Sequence, residues 1–201
     1  MRTRLLAVIL IIVMSLPLVA GVEPVIARKR TVTKTFRNSA AIAIPGSGED
    51  GPGAPYPSTI EVSGFKKPQI LDVNVTLRLL SHDFPHDIDV LLVAPDGTNT
   101  LIMSDTGGAG DALNGVTLKL DDEAKKSMDS GIIVSGTYQP FDRVPGDTMP
   151  GSAPTPSGGS TLSVFDGIDP NGTWELYVAD DGDPDTGTLS GGWELQIKAR
   201  R

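Results

Sequence analysis

From Ile70 the chain alternates between apolar and polar positions for ten residues. Leu71, Val73, Val75, Leu77 and Leu79 share one side, and Asp72, Asn74, Thr76 and Arg78 the other. Successive side chains on a pleated strand point to opposite faces, so period two predicts a half-buried antiparallel strand. Ile88–Ala94 is an apolar run broken only by Asp89, and it stops at Pro95-Asp96-Gly97-Thr98, which is turn chemistry. Asn99–Ser104 then predicts the returning strand of a hairpin, and Val116–Leu120 is a short alternating strand. Trp174, Leu176 and Val178 alternate with Glu175 and Tyr177, and Trp193, Leu195 and Ile197 with Glu194, Gln196 and Lys198. Both tryptophans are therefore expected in the core. Weaker strand candidates are Thr31–Phe36, Thr59–Phe65, Gly131–Val134 and Thr161–Phe165. Asp121–Lys126 reads as the one helical stretch, acids first and bases after, as the helix dipole favours. Together these predict an all-β fold, an antiparallel β-sandwich of jelly-roll type with eight to nine strands and one short helix.

Two connections are long for a compact domain: the Gly/Pro-rich stretch 45–57 and the polar stretch 135–160, which holds five prolines. Such loops are functional or lack fixed structure, and disorder is expected over Pro145–Gly159. At the amino terminus Arg2 and Arg4 precede an apolar run, Leu5–Val19, interrupted by Ser15 and Pro17. That run is short of the roughly 20 residues a membrane span needs, and small residues follow it. Residues 1–21 are read as a secretory signal, cleaved after Ala20, Gly21 or Ala27, with an uncleaved anchor as the alternative. Residues 22–30 form a basic stub containing Arg28-Lys29-Arg30, and 31–201 a single domain that would be secreted.

Charge narrows the partners. The 201 residues carry 17 Lys+Arg against 25 Asp+Glu, a net charge of −8, which argues against nucleic acid and, once the signal is removed, against a membrane. The absence of cysteine excludes thiolate catalysis, disulfides and zinc–thiolate sites, and two histidines leave little for a multi-histidine metal centre. An exported chain without disulfides must be held by its core or by an ion such as calcium. Asp180, Asp181, Asp183 and Asp185 lie within six residues, the last three at every second position, as in oxygen-ligand calcium loops. The loop is not an EF-hand, because Pro184 intrudes and Gly192 stands where the closing Glu belongs. A hydrated acidic hairpin is the alternative reading. Asp105, Asp111, Asp121 and Asp122 form a weaker candidate, converging at one end of the sandwich. A bound Ca2+ would be structural.

Catalytic constellations are poorly supported. Asp129-Ser130-Gly131 and Gly151-Ser152-Ala153 echo subtilisin motifs, but no His stands between them. Asp105-Thr106-Gly107 and Asp185-Thr186-Gly187 fit an aspartic-protease triplet but lack a repeated apolar setting. His82 and His86 have helical ligand spacing, yet Pro85 breaks a helix there, so His82 is expected to pack in a turn and His86 to be exposed. Tyr56, Tyr138 and Tyr177 are candidate platforms for carbohydrate, the basis of an alternative reading as a cell-surface or matrix-binding module.

The segment from His82 to Thr98, with Asp89-Val90-Leu91-Leu92 and Pro95-Asp96-Gly97-Thr98, resembles the core of the P domain (Homo B domain) that accompanies kexin/furin-type proprotein convertases. The resemblance continues through Leu120–Ala124, Gly136–Pro140, Leu162–Gly167, Asn171–Leu176, Asp180, Gly187–Leu189 and Trp193–Leu195, roughly Thr31 to Ala199 in all. It implies a jelly-roll sandwich that is not itself catalytic and that supports a subtilisin-like serine endopeptidase. Here the expected signal runs almost directly into the β-domain. The resemblance therefore implies an accessory, interaction or stabilising module with a protein partner, such as a separate subtilisin-like protease.

Overall fold

The computed structural model describes residues 30–45, 50–66, 69–108, 111–129, 131–182 and 184–200, so the expected signal segment and most of the basic stub lie outside the described residues. Within them run thirteen strands: β1 (Thr31–Asn38), β2 (Ile42–Ile44), β3 (Gly51–Pro52), β4 (Ser58–Val62), β5 (Ile70–His82), β6 (Ile88–Val93), β7 (Asn99–Ser104), β8 (Leu113–Leu120), β9 (Gly136–Tyr138), β10 (Phe141–Asp142), β11 (Gly172–Asp180), β12 (Gly187–Leu189) and β13 (Trp193–Arg200). Two 3-10 turns, Pro85–Asp87 and Leu162–Phe165, complete the described elements, and none of these is an α-helix. The excess over eight to nine strands comes from pairings of two or three residues, β2, β3, β9, β10 and β12, too brief to leave a period in the sequence.

The strands form two sheets. In the first, β5 pairs with β13 and β12 along one edge and with β8 along the other; β1 lies outside β13, β2 outside β12 and β9 beside β8. In the second, the order is β10-β7-β6-β11, with β3 and β4 sharing the far edge of β11. Val73, Val75, Leu77, Leu195 and Ile197 from one sheet meet Val90, Leu92, Ile102, Leu176 and Val178 from the other in a single core. Trp174 and Trp193 are fully buried, and their indole N–H groups donate to the Pro170 carbonyl at 2.9 Å and the Ser58 hydroxyl at 3.0 Å. Burying a large apolar side chain contributes on the order of 1.5–3 kcal/mol, so this seam is where the fold is held. The predicted hairpin turn closes with Ala94 N–H donating to Thr98 O at 2.8 Å and Thr98 N–H to the Asp96 carboxylate at 3.0 Å.

Several expectations are corrected. Asp121–Lys126 is a turn rather than a helix: the Asp121 carboxylate accepts the Glu123 amide at 3.0 Å, an Asx turn that competes with helix over a stretch too short to nucleate one. Gly131–Val134 forms no described strand, and Thr161–Phe165 becomes the second 3-10 turn. Leu79 leaves the apolar face of β5; it is 48% exposed with φ 55°, at a register shift between Leu77 and Leu80 against β8. A bulge inserts a residue and inverts the alternation beyond it, so Leu80 and His82 point inward instead.

The stretch 145–159, expected to be disordered, lies as a strap across the outer face of the second sheet. Leu91, Val93, Leu101 and Tyr177 make a small second core there, covered by Tyr56, Met149 and Ala153. Tyr56 O–H donates to Pro150 O at 2.8 Å, Ser157 N–H to the Asn99 side-chain oxygen at 2.9 Å and Thr100 O–H to Gly159 O at 3.0 Å. This covering explains why β6 and β7 are buried at every position, without alternation. Of the three candidate aromatic platforms, Tyr177 is buried under the strap, Tyr138 is buried in the main core, and Tyr56 is half-buried and bonded to the strap.

Candidate metal site

One end of the sandwich collects carboxylates from segments far apart in the chain. Asp105 follows β7, Asp142 ends β10 and Asp147 opens the strap, and each offers an oxygen within 4.8 Å of the other two. These three residues could hold a metal ion. Asp105 adopts the left-handed backbone region (φ 51°), which aspartate tolerates better than most residues. Asp147 is tied down by the Ser104 hydroxyl at 2.8 Å. An Asp142 carboxylate oxygen, Oδ1, is buried with no hydrogen-bond partner among the described residues. Three clustered anions, one with a buried oxygen left unsatisfied, suit a hard cation that takes oxygen ligands.

More carboxylates surround this trio. Asp89, 4% exposed at the start of β6, is pushed up to about 7 by burial, with Asp181, Asp147 and Asp105 adding to the effect and Ser104 opposing it. Burial likewise raises Asp105, Asp142 and Asp181, and Asp147 is the next cause in each case. Asp87 is raised by burial and then by Asp181, Asp180 and Asp185. Mutual repulsion in a partly desolvated cluster favours the protonated forms, or a bound cation. His86 is half-buried rather than exposed, and its Nδ1 lies 3.4 Å from Asp105.

Beside the trio lies a sealed pair. His82 Nε2 is 3.0 Å from an Asp180 carboxylate oxygen, and both side chains are fully buried. The His82 Nδ1 lies 2.9 Å from the Phe84 carbonyl oxygen and 3.2 Å from the Phe84 amide, so both ring nitrogens are engaged. Burial nonetheless raises Asp180, ahead of the lowering effects of the Gly182 amide and His82. A Cβ on Gly182 would overlap the Asp87 carboxylate, so glycine lets loop and carboxylate meet.

Of the sequence candidates, Asp180, Asp181 and Asp185 reach this end, in reach of Asp87; Asp183 lies outside the described residues. Asp180 is spent on His82 and the Gly182 amide. Asp111 stands beside Gly108 at the entry to β8. Asp121 and Asp122 are not brought together with Asp105 and Asp111, because β8 carries them to the opposite end of β5: Leu113 pairs with His82, Leu120 with Val75. There Asp121 bonds Lys119 at 2.6 Å, and Asp122 accepts the Leu162 and Ser163 amides at 2.9 and 2.8 Å, fixing the second 3-10 turn. Asp142 and Asp147 escaped the sequence reading because they stand in an aperiodic, proline-rich stretch. Asp89 left a trace, as the one charge inside an apolar run.

No family model matches this chain, and no curated protein does. Among solved structures it is similar to part of the serine protease of Aeromonas sobria. With that protease in complex with its chaperone, identity is 15% over 86% of this chain and 27% of the other, at a TM-score of 0.39. With the protease alone the values are 16%, 85%, 27% and 0.38.

Proposed function

We propose that this chain is a secreted, non-catalytic P-domain-like module that acts as an accessory or interaction partner of a separate subtilisin-like serine endopeptidase, and that its acidic end holds a structural Ca2+ ion. The observation that carries the calcium reading is the meeting of Asp105, Asp142 and Asp147 within 4.8 Å. Calcium takes six to eight oxygen ligands without strict geometry, which suits carboxylates supplied by a turn, a strand end and a strap. Its charge would offset their repulsion and link β7, β10 and the strap. The accessory role is supported by the ordered motif series from His82 to Leu195. The non-catalytic reading is supported by the commitment of both histidines: His82 is sealed on both ring nitrogens, and His86 faces Asp105.

Two measurements test this. Free calcium at about 100 times its Kd should add about 2.7 kcal/mol to the folded state, seen as a higher Tm than in EDTA. Asp142→Asn should abolish that gain, and an equal Tm with and without calcium in the wild-type chain would remove the ion from the account. Immobilised chain should retain a subtilisin-like endopeptidase from the secreted fraction of the producing organism in calcium and release it in EDTA. Retention of envelope polysaccharide alone would favour the matrix-binding alternative.

A further inference from the structure

Strand β1 is bonded to β13 along eight residue pairs with no bulge. The phase of that bonding follows from β13. Arg200 N–H donates to Gln69 O, and Gly192 O accepts Arg78 N–H, so the even-numbered residues of this strand turn their backbone groups toward β5. Antiparallel residues alternate between bonding one neighbour and the other. The odd-numbered residues of β13 therefore bond β1, opposite Val32, Lys34, Phe36 and Asn38. The backbone groups of Thr31, Thr33, Thr35 and Arg37 point away from the sheet, and among the described residues no strand pairs with that edge.

Sheet edges are normally blunted by bulges, prolines or a lysine in the path of an incoming strand. Strand β1 has no bulge and no proline. Its one lysine, Lys34, is folded inward, donating to Ser63 O at 3.2 Å and Gly64 O at 2.9 Å. Beneath the edge runs a groove of about 270 Å³ lined by Val32, Lys34, Gly64 and Lys66. On the neighbouring strand, Lys198 and Arg200 stand opposite Thr33 and Thr31. This is a basic margin on a chain of net charge −8.

We propose that β1 is a docking edge that accepts an extended acidic segment of a partner protein as an added strand. The free backbone row supplies the hydrogen bonds, and alternate acidic side chains enter the groove toward Lys34 and Lys66. A second copy of this chain fits less well, because β1 carries Lys34 and Arg37 and no acidic residue to meet the basic margin. The inference rests on the reading of the chain as an interaction module, but β1 lies outside β13, which pairs with the half of β5 away from His82 and the acidic end.

The test is a fluorescence-anisotropy titration of the full chain with a ten-residue peptide of alternating valine and glutamate, and with its lysine counterpart. The glutamate peptide should bind and the lysine peptide should not. Thr33→Pro removes an amide that β13 does not use, and should weaken binding at least about tenfold with the melting temperature nearly unchanged. Lys66→Glu, at an exposed site, should weaken it comparably and keeps the test open if the proline variant fails to fold. Equal binding of both peptides, no binding, or binding unaffected in both variants overturns the proposal. So does a concentration-dependent dimer in sedimentation that Thr33→Pro abolishes, which would assign the edge to a second copy. Loss of the edge with calcium-dependent endopeptidase capture intact removes only this inference; loss of capture with peptide binding intact removes only the endopeptidase.

Discussion

At the scale of single residues, the buried polar groups are the informative ones. His82 and Asp180 satisfy each other where no water reaches, so truncating one strands the other. Asp180→Ala leaves His82 Nε2 and the Gly182 amide without their acceptor. An unsatisfied buried polar group costs about 1–3 kcal/mol; denaturant unfolding should show a loss of that size, and a neutral result would mean the pair does not brace the fold. Sequence reading expected His82 to pack in a turn; it packs instead as the last residue of β5, and the sequence offered nothing about its partner, 98 residues later. Gly192 is a similar case: it turns the chain from β12 into β13 with φ 66°, and a Cβ there would overlap the Asn38 carbonyl. Glycine in a turn is ordinary in sequence; the close approach that requires it is visible only in three dimensions.

At the scale of elements, alternation served well wherever a strand buries one face only. The paired runs at Trp174–Val178 and Trp193–Ile197 became β11 and β13 with their tryptophans in the core, as the period required. It failed where another force decided: at the β5 bulge, in the Asp121 turn, and over the strap, whose composition resembles that of disordered chain. The strap is held mainly by a few hydrogen bonds and the cover it gives to Leu91, Val93, Leu101 and Tyr177. Asp147 ties its start to Ser104 beside Asp105 and Asp142. Chelation should therefore loosen it before the sandwich unfolds. Limited proteolysis in EDTA should cut first between Val144 and Gly159 and leave the sheets intact, whereas equal cutting with and without calcium would separate the strap from the ion.

At the scale of the whole molecule, the acidic end sets how stability responds to pH. Asp89 titrates at about 7 in the folded state against an ordinary value of 3.8. The folded chain thus holds this proton more tightly than the unfolded chain. That contribution is fully present below the unfolded value and is lost as pH rises through about 7. Asp87, Asp105, Asp142, Asp180 and Asp181 are raised in the same sense. In EDTA the Tm should fall between pH 4 and pH 7, calcium should flatten that fall, and Asp89→Asn should reduce it; a Tm that rises over that range would contradict the assignment. By itself the sequence determined the all-β class, the main hairpin, the core tryptophans and the acidic loop around Asp180, because these follow from local period and turn chemistry. Only the tertiary structure decided which carboxylates meet. The distance from Asp105 to Asp147 depends on how β7, β10 and the strap are laid side by side, and a parallel pairing such as that of Phe141 with Met103 leaves no mark in local sequence. The same packing carried Asp121 and Asp122 to the opposite end, where backbone amides and Lys119 take up the charge that an ion would otherwise have balanced.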